Sequence, residues 1–255
     1  MRILTSGVLS GIGKHIHENL GGRGITRSTS AEELTKIKRE GADVIIHCAF
    51  NSQKDVTADS VYQYFRDNVF LTNELASIPH KRFIFFSTVD IYAKNSEVHR
   101  EDELIHIDNM RGMYAITKLI SESIVRRCRN FLILRPTTLL GRHARKNTLT
   151  RIIEGEKDPL FLSGNSRFNF VLHSDILDFI KFSIGNDIKG IFNVSSTGNI
   201  QLSEVANLLN QKVRFGTYQY DVGNISNDKI TTLFPAFKKT SKEILHQFIE
   251  VWKGA

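Results

Sequence analysis

Short, nearly continuous apolar runs recur at residues 2–5, 24–26, 43–47, 82–86, 131–134 and 191–194, each bounded by turn-forming residues. Runs this short, rich in Val, Ile, Leu and Phe, suit strands covered on both faces, as in a parallel sheet. Between them, apolar positions return every three or four residues across 13–20, 31–40, 60–77, 111–129 and 174–184, the spacing of amphipathic helices. The alternation predicts an α/β fold, a doubly wound parallel sheet with helices on both faces.

Beyond residue 136 the order loosens. A Thr-rich, basic loop covers 137–150, a second loop surrounds Gly164, and short helices follow, one at 203–211 and one opening on the capping box Thr240-Ser241-Lys242-Glu243. No internal repeat and no Pro- or Ser-rich linker divides the chain. The expected organisation is a core over 1–135 and a smaller lobe, mostly 136–255, from which 174–194 returns to the main sheet.

Of 255 residues, 41% are hydrophobic, and 34 Lys plus Arg face 27 Asp plus Glu. That length can bury a core large enough to dispense with disulfides. The two cysteines, Cys48 and Cys128, make neither a disulfide framework nor a zinc-ligand spacing, so a reducing, cytoplasmic setting and no metal are expected. The N-terminus, MRILTSGVLSGIGKHI, places glycines where a signal peptide needs an unbroken apolar stretch. No run approaches the roughly 18 apolar residues of a membrane helix. The formal charge is +7, but basic residues are scattered among acidic ones, as in Lys36-Ile37-Lys38-Arg39-Glu40. An anionic small molecule fits that balance; neither nucleic acid nor a membrane is an expected partner.

Three motifs carry chemistry. Ser6-Gly7-Val8-Leu9-Ser10-Gly11-Ile12-Gly13 lies between the first strand and the first helix. Glycines there permit a tight turn and close approach to a pyrophosphate, which the helix N-terminus attracts; the competing reading is a glycine-rich turn without ligand. Tyr114 and Lys118 stand one helical turn apart and share a face. A phenol of ordinary pKa about 10 needs a nearby cation to work as acid or base near neutrality. A lysine can provide it, although the same spacing also marks a plain solvated face. Phe85-Phe86-Ser87-Thr88-Val89-Asp90-Ile91-Tyr92 puts hydroxyls at the carboxyl end of a buried strand, the edge where open parallel sheets bind ligands. Thr88 can hydrogen-bond a substrate carbonyl there, or simply close a strand-end turn.

In this order the motifs resemble the short-chain dehydrogenase/reductase superfamily, and within it the extended branch of nucleotide-sugar epimerases, dehydratases and ketoreductases. That resemblance implies a Rossmann fold with a small C-terminal substrate-binding lobe, and it covers nearly the whole chain. Asp43-Val44-Ile45-Ile46-His47-Cys48-Ala49 is similar to the family's third strand and the small-residue loop beside the cofactor. Asn68-Val69-Phe70-Leu71-Thr72-Asn73-Glu74-Leu75 is similar to its Asn-Val-x-x-Thr-x-x-Leu helix, and Tyr114-x-x-x-Lys118-x-x-x-Glu122 to its catalytic helix. Leu134-Arg135-Pro136 leading to Gly141, then Phe170-Val171-Leu172-His173-Ser174-Asp175-Ile176, then Gly190-Ile191-Phe192-Asn193-Val194 resemble later family segments. There are departures. Gly7-x-x-x-Gly11-x-Gly13 is the spacing of the single-domain branch, with Ser10 where the extended pattern has glycine. Thr138 replaces a family Asn, Leu172 replaces a His, and Arg27 leads almost directly to the helix at 31–40.

The resemblance implies a nicotinamide dinucleotide held by Gly7, Ser10, Gly11, Ile12, Gly13 and Ala49, and by Tyr114 and Lys118. Strand two ends in Arg27-Ser28-Thr29-Ser30 rather than in the acid that binds an NAD ribose. Arg27 and Ser28 suit a 2′-phosphate, so NADP(H) is the expected cofactor, with NAD(H) as the alternative. The implied reaction is reduction of a keto group on a nucleotide-linked sugar. Tyr114 would donate the proton, Lys118 would lower the Tyr114 pKa and hold the nicotinamide ribose, and Thr88 would orient the carbonyl. Asn68 would steady the catalytic helix, unless it serves as an N-cap or a buried amide. Thr138, Arg142 and Arg167 are the expected substrate contacts, with Arg145 and Lys146 beside them for a diphosphate; a solvated basic loop explains the basic residues equally well. Thr88-Val89-Asp90 lacks the acidic pair that follows the Thr of dehydratases. A C4 epimerase with retained NAD and an NADP-binding regulator without turnover are the competing functions, and the retained Tyr114 and Lys118 argue against the second. The family also implies a homodimer formed through the helices at 60–77 and 111–129.

Overall fold

Strands buried on both faces divide their side chains by strict alternation, and here that division builds two helix layers. The structure is a computed structural model that describes residues 1–253 apart from Lys54, Arg111 and Lys157. The first part runs β1 (Ile3–Ser6), α1 (Gly11–Leu20), β2 (Arg23–Ile25), α2 (Ala31–Glu40), β3 (Ala42–His47), α3 (Ala58–Phe65), α4 (Leu71–Ala76) and β4 (His80–Phe86). Then come β5 (Val98–His99), α5 (Met113–Val125), β6 (Phe131–Pro136), β7 (Thr138–Leu140), α6 (Thr148–Ile153), β8 (Arg167–Phe168), β9 (Phe170–Leu172), α7 (His173–Gly185) and β10 (Gly190–Val194). The chain closes with β11 (Ile200–Gln201), α8 (Leu202–Leu208), β12 (Asn224–Ile225), α9 (Asp228–Leu233) and α10 (Ser241–Lys253).

Six strands form one sheet in the order β10-β6-β4-β3-β1-β2, and every neighbouring pair is parallel. The six apolar runs of the sequence are these six strands. Val44, Ile46, Ile84, Phe86, Leu132 and Leu134 pack on one face with Ile12 and Ile16 of α1 and Ile176 and Phe179 of α7. Ile45, Phe83, Phe85 and Ile133 face the other way, onto Ile37, Leu75 and Val125 of α2, α4 and α5. A separate apolar cluster, including Leu140, Phe170, Val205, Leu245 and Phe248, joins the C-terminal elements. From β1 the chain moves out to β2 and returns to β3 on the opposite side of β1. That reversal opens a crevice at the carboxyl ends of β1 and β3, where ligands of such sheets bind.

Three segments differ from the sequence expectation. The helix expected at 60–77 begins at Ala58 and contains a π turn, Arg66–Phe70, before α4; the extra residue is invisible to a 3.6-residue pattern. The segment 111–129 is helical only over Met113–Val125, and Arg111 lies outside the described residues. Residues 137–150, expected as loop, contain β7, which pairs with β9, and the start of α6, capped by Asn147. The Thr240 capping box forms as expected: Thr240 N–H donates to Glu243 Oε2 at 2.7 Å, and Glu243 N–H to Thr240 Oγ1 at 3.2 Å. Among the described residues no helix is long and apolar enough to cross a membrane.

One buried ion pair locks these layers. Arg135 of β6 donates through Nε to Glu122 Oε1 at 2.9 Å and through Nη2 to Oε2 at 2.7 Å, with both side chains wholly inaccessible. Its Nη1 donates to Tyr92 Oη at 2.7 Å, and Tyr92 Oη donates to Asn193 Oδ1 at 2.7 Å. Removing one partner of such a pair strands the other's charge at a cost of about 3–5 kcal/mol. Glu122→Ala is expected to lose stability of that order, read as a lower urea midpoint at unchanged slope.

His47 of β3 is buried between hydroxyls, Nδ1 lying 2.7 Å from Ser6 Oγ and Nε2 2.9 Å from Thr72 Oγ1. Burial, with Lys118 adding to it, pushes its pKa down to about 3. An unfolded histidine titrates near about 6.5, so between those values the unfolded chain binds a proton that the fold refuses. Stability therefore falls as pH drops from about 6.5 towards 3, by up to about 1.4 kcal/mol per pH unit for one such proton. His47→Gln is expected to flatten the acid limb of stability against pH by one proton, measured by urea titrations across that range.

Candidate active site

Where β1 and β3 end side by side, the chain turns too tightly to admit side chains. Gly7 has φ +79°, and a Cβ on it would lie 2.7 Å from Ala49 N; a Cβ on Gly13 would lie 2.4 Å from Gly7 O. Ala49 N–H donates to Ser6 Oγ at 3.2 Å, which ties the two strand ends together. Ser10 stands at the N-cap of α1 in extended conformation. Ile12 sends its side chain into the core, 7% exposed, so its backbone alone borders the crevice.

Two cavities meet over this turn. One of about 880 Å³ runs past Gly7, Ser10 and Ala49 to Arg27, Tyr62 and Asp67. The other, about 380 Å³, is bounded by Gly11, Thr88, Tyr114, Lys118, Thr138 and Tyr220. A glycine turn too close-packed for any Cβ, with one chamber on each side, fits a dinucleotide laid across the ends of β1 and β3 with one half in each chamber.

Thr88 leaves the end of β4 with its hydroxyl doing two jobs. Oγ1 accepts from Asp90 N–H at 3.1 Å, capping the 3₁₀ turn Val89–Ile91, and donates to Asp90 Oδ2 at 3.5 Å, while the same hydroxyl acts on the Tyr114 phenol beside it in the chamber. The strand-end turn and the site contact are thus one arrangement. Burial, reinforced by the Asp90 carboxylate, pushes Tyr114 above the ordinary tyrosine range, and the Thr88 hydroxyl opposes this. One turn further along α5, buried Lys118 donates through Nζ to the Phe86 carbonyl at 2.5 Å. The same Nζ lies 4.2 Å from the centroid of the Phe50 ring, and that ring stands edge-on to Tyr114 at 4.9 Å and 87°.

Burial pulls Lys118 down to about 7. The expected lowering of the Tyr114 pKa by Lys118 is not what this arrangement produces. The ammonium gives up much of its charge to burial, its bonding is turned to Phe86, and the cation that draws Tyr114 down is Arg145.

Asn68, in the π turn and 1% exposed, spends its carboxamide on the loop after β3. Oδ1 accepts from Asn51 N–H at 2.7 Å and Nδ2 donates to the Asn51 carbonyl at 3.2 Å. It fixes the loop carrying Phe50 rather than the backbone of the catalytic helix, because the extra residue of the π turn aims it there. Arg27 reaches the larger cavity but is paired with Asp67, Nη2 to Oδ2 at 2.7 Å. Ser28 is drawn into a hydroxyl turn at the end of β2, its Oγ 2.8 Å from Thr26 Oγ1.

Of the expected substrate contacts, Thr138 borders the smaller cavity. Arg167 is engaged within the C-terminal lobe by Asp221 at 3.3 Å and Asn224 at 3.0 Å, and Arg142 is exposed away from the cavity walls. Lys146 reaches the smaller cavity but pairs with Glu154 and Glu156, whereas Arg145 borders both cavities.

Phe50, Asp90 and Tyr220 also shape the site without having been picked out as site residues from the sequence. Asp90 Oδ1 accepts from Lys94 Nζ at 2.9 Å and from Tyr220 Oη at 3.5 Å. No local pattern marks Tyr220, which lies 130 positions from Asp90. Phe50 has a readable signal, a large ring directly after the small residues Cys48-Ala49.

Sheet order, glycine turn and the grouping of Thr88, Tyr114 and Lys118 define a dinucleotide-dependent enzyme of the doubly wound class. The family model described as the NAD dependent epimerase/dehydratase family matches residues 11–195. The chain belongs to that family, and so to the NAD(P)-dependent enzymes of the extended short-chain dehydrogenase/reductase type. Its fold is similar to that of UDP-glucuronic acid 4-epimerase from Bacillus cereus in complex with UDP-glucuronic acid and NAD, at 18% identity over 100% of this chain and 99% of that one, TM-score 0.78. It is also similar to dTDP-4-dehydrorhamnose reductase from Bacillus anthracis in complex with NADP, at 18% identity over 98% of each chain, TM-score 0.81. The dTDP-4-dehydrorhamnose reductase from Yersinia enterocolitica matches at 20% identity over 98% of this chain and 99% of that one, TM-score 0.80.

Phe50→Ala would let water reach Lys118. The loss of a cation–π contact, about 0.5–2 kcal/mol, is smaller than the burial effect it relieves, so the Lys118 pKa is expected to rise from about 7 towards its ordinary 10.5. The check is a pH titration of the lysine ε-carbon resonance; an unchanged midpoint would show that the ring does not control the ammonium.

Proposed function

We propose that the protein reduces a keto group on a nucleotide-linked sugar, using NADP(H) in preference to NAD(H). The observation behind this reading is the convergence of Thr88, Tyr114 and Lys118 on a chamber that opens onto the glycine turn. When bound, the nicotinamide supplies the hydride at its C4. The Thr88 hydroxyl, which shares the chamber with Tyr114, holds the substrate carbonyl oxygen. Tyr114, kept protonated near neutrality by its burial, passes its proton to that oxygen. Lys118 meets the ribose hydroxyls beside the nicotinamide, and Arg27 meets the 2′-phosphate after exchanging Asp67 for it. Thr138, with Asp90 and Tyr220, lines the part of the chamber left for the sugar. Residues 136–255, less the returning segment 174–194, form the lobe that closes over it. The dTDP-4-dehydrorhamnose reductase in complex with NADP among the structural neighbours supports the reading.

The dimer proposed with it would use α3 and the π turn beside the larger cavity, where Tyr62 and Phe70, which also border that cavity, are exposed with rings 6.4 Å apart. Val69 and Val125 are unavailable to it, both being buried in this chain.

A nucleotide-sugar epimerase with retained NAD is the second reading, favoured by one contact. Asp67, 15% exposed at the rim of the larger cavity, is a carboxylate of the kind that takes an NAD ribose hydroxyl.

The deciding experiment denatures the purified protein, identifies any nucleotide released, and titrates the emptied protein with NADPH and NADH. Tighter binding of NADPH is expected, with Arg27→Ala abolishing the difference; released NAD without preference for NADPH would overturn the reductase reading. On the reductase reading, Tyr114→Phe should lower turnover by about 10²–10⁴-fold and leave NADPH affinity within a factor of about two. Turnover retained in that variant would remove Tyr114 from the proton transfer.

A further inference from the structure

We propose that Arg145 holds the pyrophosphate of the bound dinucleotide, reaching it from the far side of the crevice on the loop 141–147, and that this loop exchanges one of its own bonds for the ligand. The inference rests on the dinucleotide reading of the glycine turn and reassigns a residue whose sequence position suggested the substrate's diphosphate.

The placement of the guanidinium is the first support. Arg145 Nε donates to Ser10 Oγ at 3.2 Å and Nη1 to Ser52 Oγ at 3.1 Å. Ser10 precedes α1 at the end of the β1 turn and Ser52 follows β3, so the side chain spans the two strand ends at which the sheet reverses. Gly7, Ser10, Phe50, Ser52 and Arg145 are the residues common to both chambers. A ligand with one nucleoside in each chamber must pass its linking group between them, and that group is a pyrophosphate.

Charge is the second support. Two other basic residues of this stretch are matched by one carboxylate, Lys146 by Glu156 and Arg151 Nε by Glu156 at 2.7 Å, and His143 Nε2 lies 2.6 Å from Glu18 Oε2; Arg142 makes no ion pair among the described residues but stands away from both cavities. Among the described residues Arg145 has hydroxyl partners and no carboxylate within ion-pair distance. Hydrogen bonds from a guanidinium to a phosphate are roughly twice as strong as those between neutral groups, and two can form in parallel. Replacing two serine oxygens by phosphate oxygens is therefore favourable, and the serines would hold the fork in place until then.

The loop also makes the bond that the ligand must displace. Gly11 N–H, at the first turn of α1, donates to the His143 carbonyl at 2.7 Å. A free N–H at a helix start is the donor a phosphate seeks, and here the loop 141–147 covers it. When the pyrophosphate arrives, the carbonyl of His143 gives way and Arg145, two residues on, stays. Binding of the dinucleotide and the position of the segment leading to α6 are thereby coupled.

The test compares wild-type protein, Arg145→Gln and Arg27→Ala by calorimetric titration with NADPH, with NADH and with UDP. Arg145 is exposed, so the variant should melt with the wild type, which a thermal scan verifies. Loss of the pyrophosphate contact should weaken NADPH and NADH by the same factor, about tenfold or more, while UDP is unchanged. Arg27→Ala should weaken NADPH alone, and that separates the two anionic contacts. Unaltered affinity for both dinucleotides in Arg145→Gln, with UDP weakened instead, would return Arg145 to the substrate and overturn the proposal. Wild-type protein that binds neither dinucleotide would overturn the reading of the glycine turn, and this inference with it.

Discussion

The bidentate pair between Glu122 and Arg135 sets the geometry of everything around it. Glu122 stands one turn beyond Lys118 on α5, and Arg135 is the penultimate residue of β6. The pair therefore fixes how far along the sheet the catalytic helix sits. Through Tyr92 and Asn193 the same network reaches the turn after Thr88 and the outer strand β10. Asn193 Nδ2 then donates to the carbonyls of His99, in β5, and of Ser226, directly after β12. A charge pair so deeply buried gains little net stability over apolar packing. Its directional fork does what apolar packing cannot, holding Tyr114 against Thr88 in a single register.

Burial is also what tunes the site. Burial moves Lys118 and Tyr114 in the directions that disfavour their charged forms, and Glu122 near the lysine, with Thr88 and Arg145 near the phenol, only partly offsets this. Cys48, beside them, is likewise held as a thiol by burial, well above the usual range. Around Tyr114 and Cys48 the chamber thus offers neutral groups, the Asp90 carboxylate beside them is matched by Lys94, and Arg145 and Arg27 stand at its outer side. Such a division favours a ligand that is anionic at its linker and neutral at its reacting end.

The sheet was legible because both of its faces are covered. Burial on both faces forces apolar runs, and β4 shows the effect most strongly in Arg82-Phe83-Ile84-Phe85-Phe86, whereas the edge strand β2, Arg23-Gly24-Ile25, buries only its isoleucine. The turn at Gly7 and the spacing of Tyr114 and Lys118 were legible for a related reason, since a tight backbone approach and a helical repeat leave local marks. Contacts that join distant segments leave none. Tyr220 meets Asp90, Arg27 meets Asp67, and Arg167 is taken up by Asp221 and Asn224, and each depends on how loops cross. The two-residue strands of the C-terminal lobe are too short to show any period. Ser28 illustrates a further limit: a hydroxyl beside a candidate arginine has a ready partner in its own turn, and Thr26 takes it.

The π turn Arg66–Phe70 holds one residue more than an α-helical turn, which lets Asp67 and Asn68 both reach Asn51 while Tyr64 and Leu75 on either side stay buried. Loss of any one residue there would rewind the segment as plain α-helix and swing one flank by about 100° against the other. Either Tyr64 or Leu75 would then face water. Substitutions along this stretch are thus far easier to accommodate than a change in its length, and an alignment that places a gap within it pairs residues that cannot occupy the same place in space.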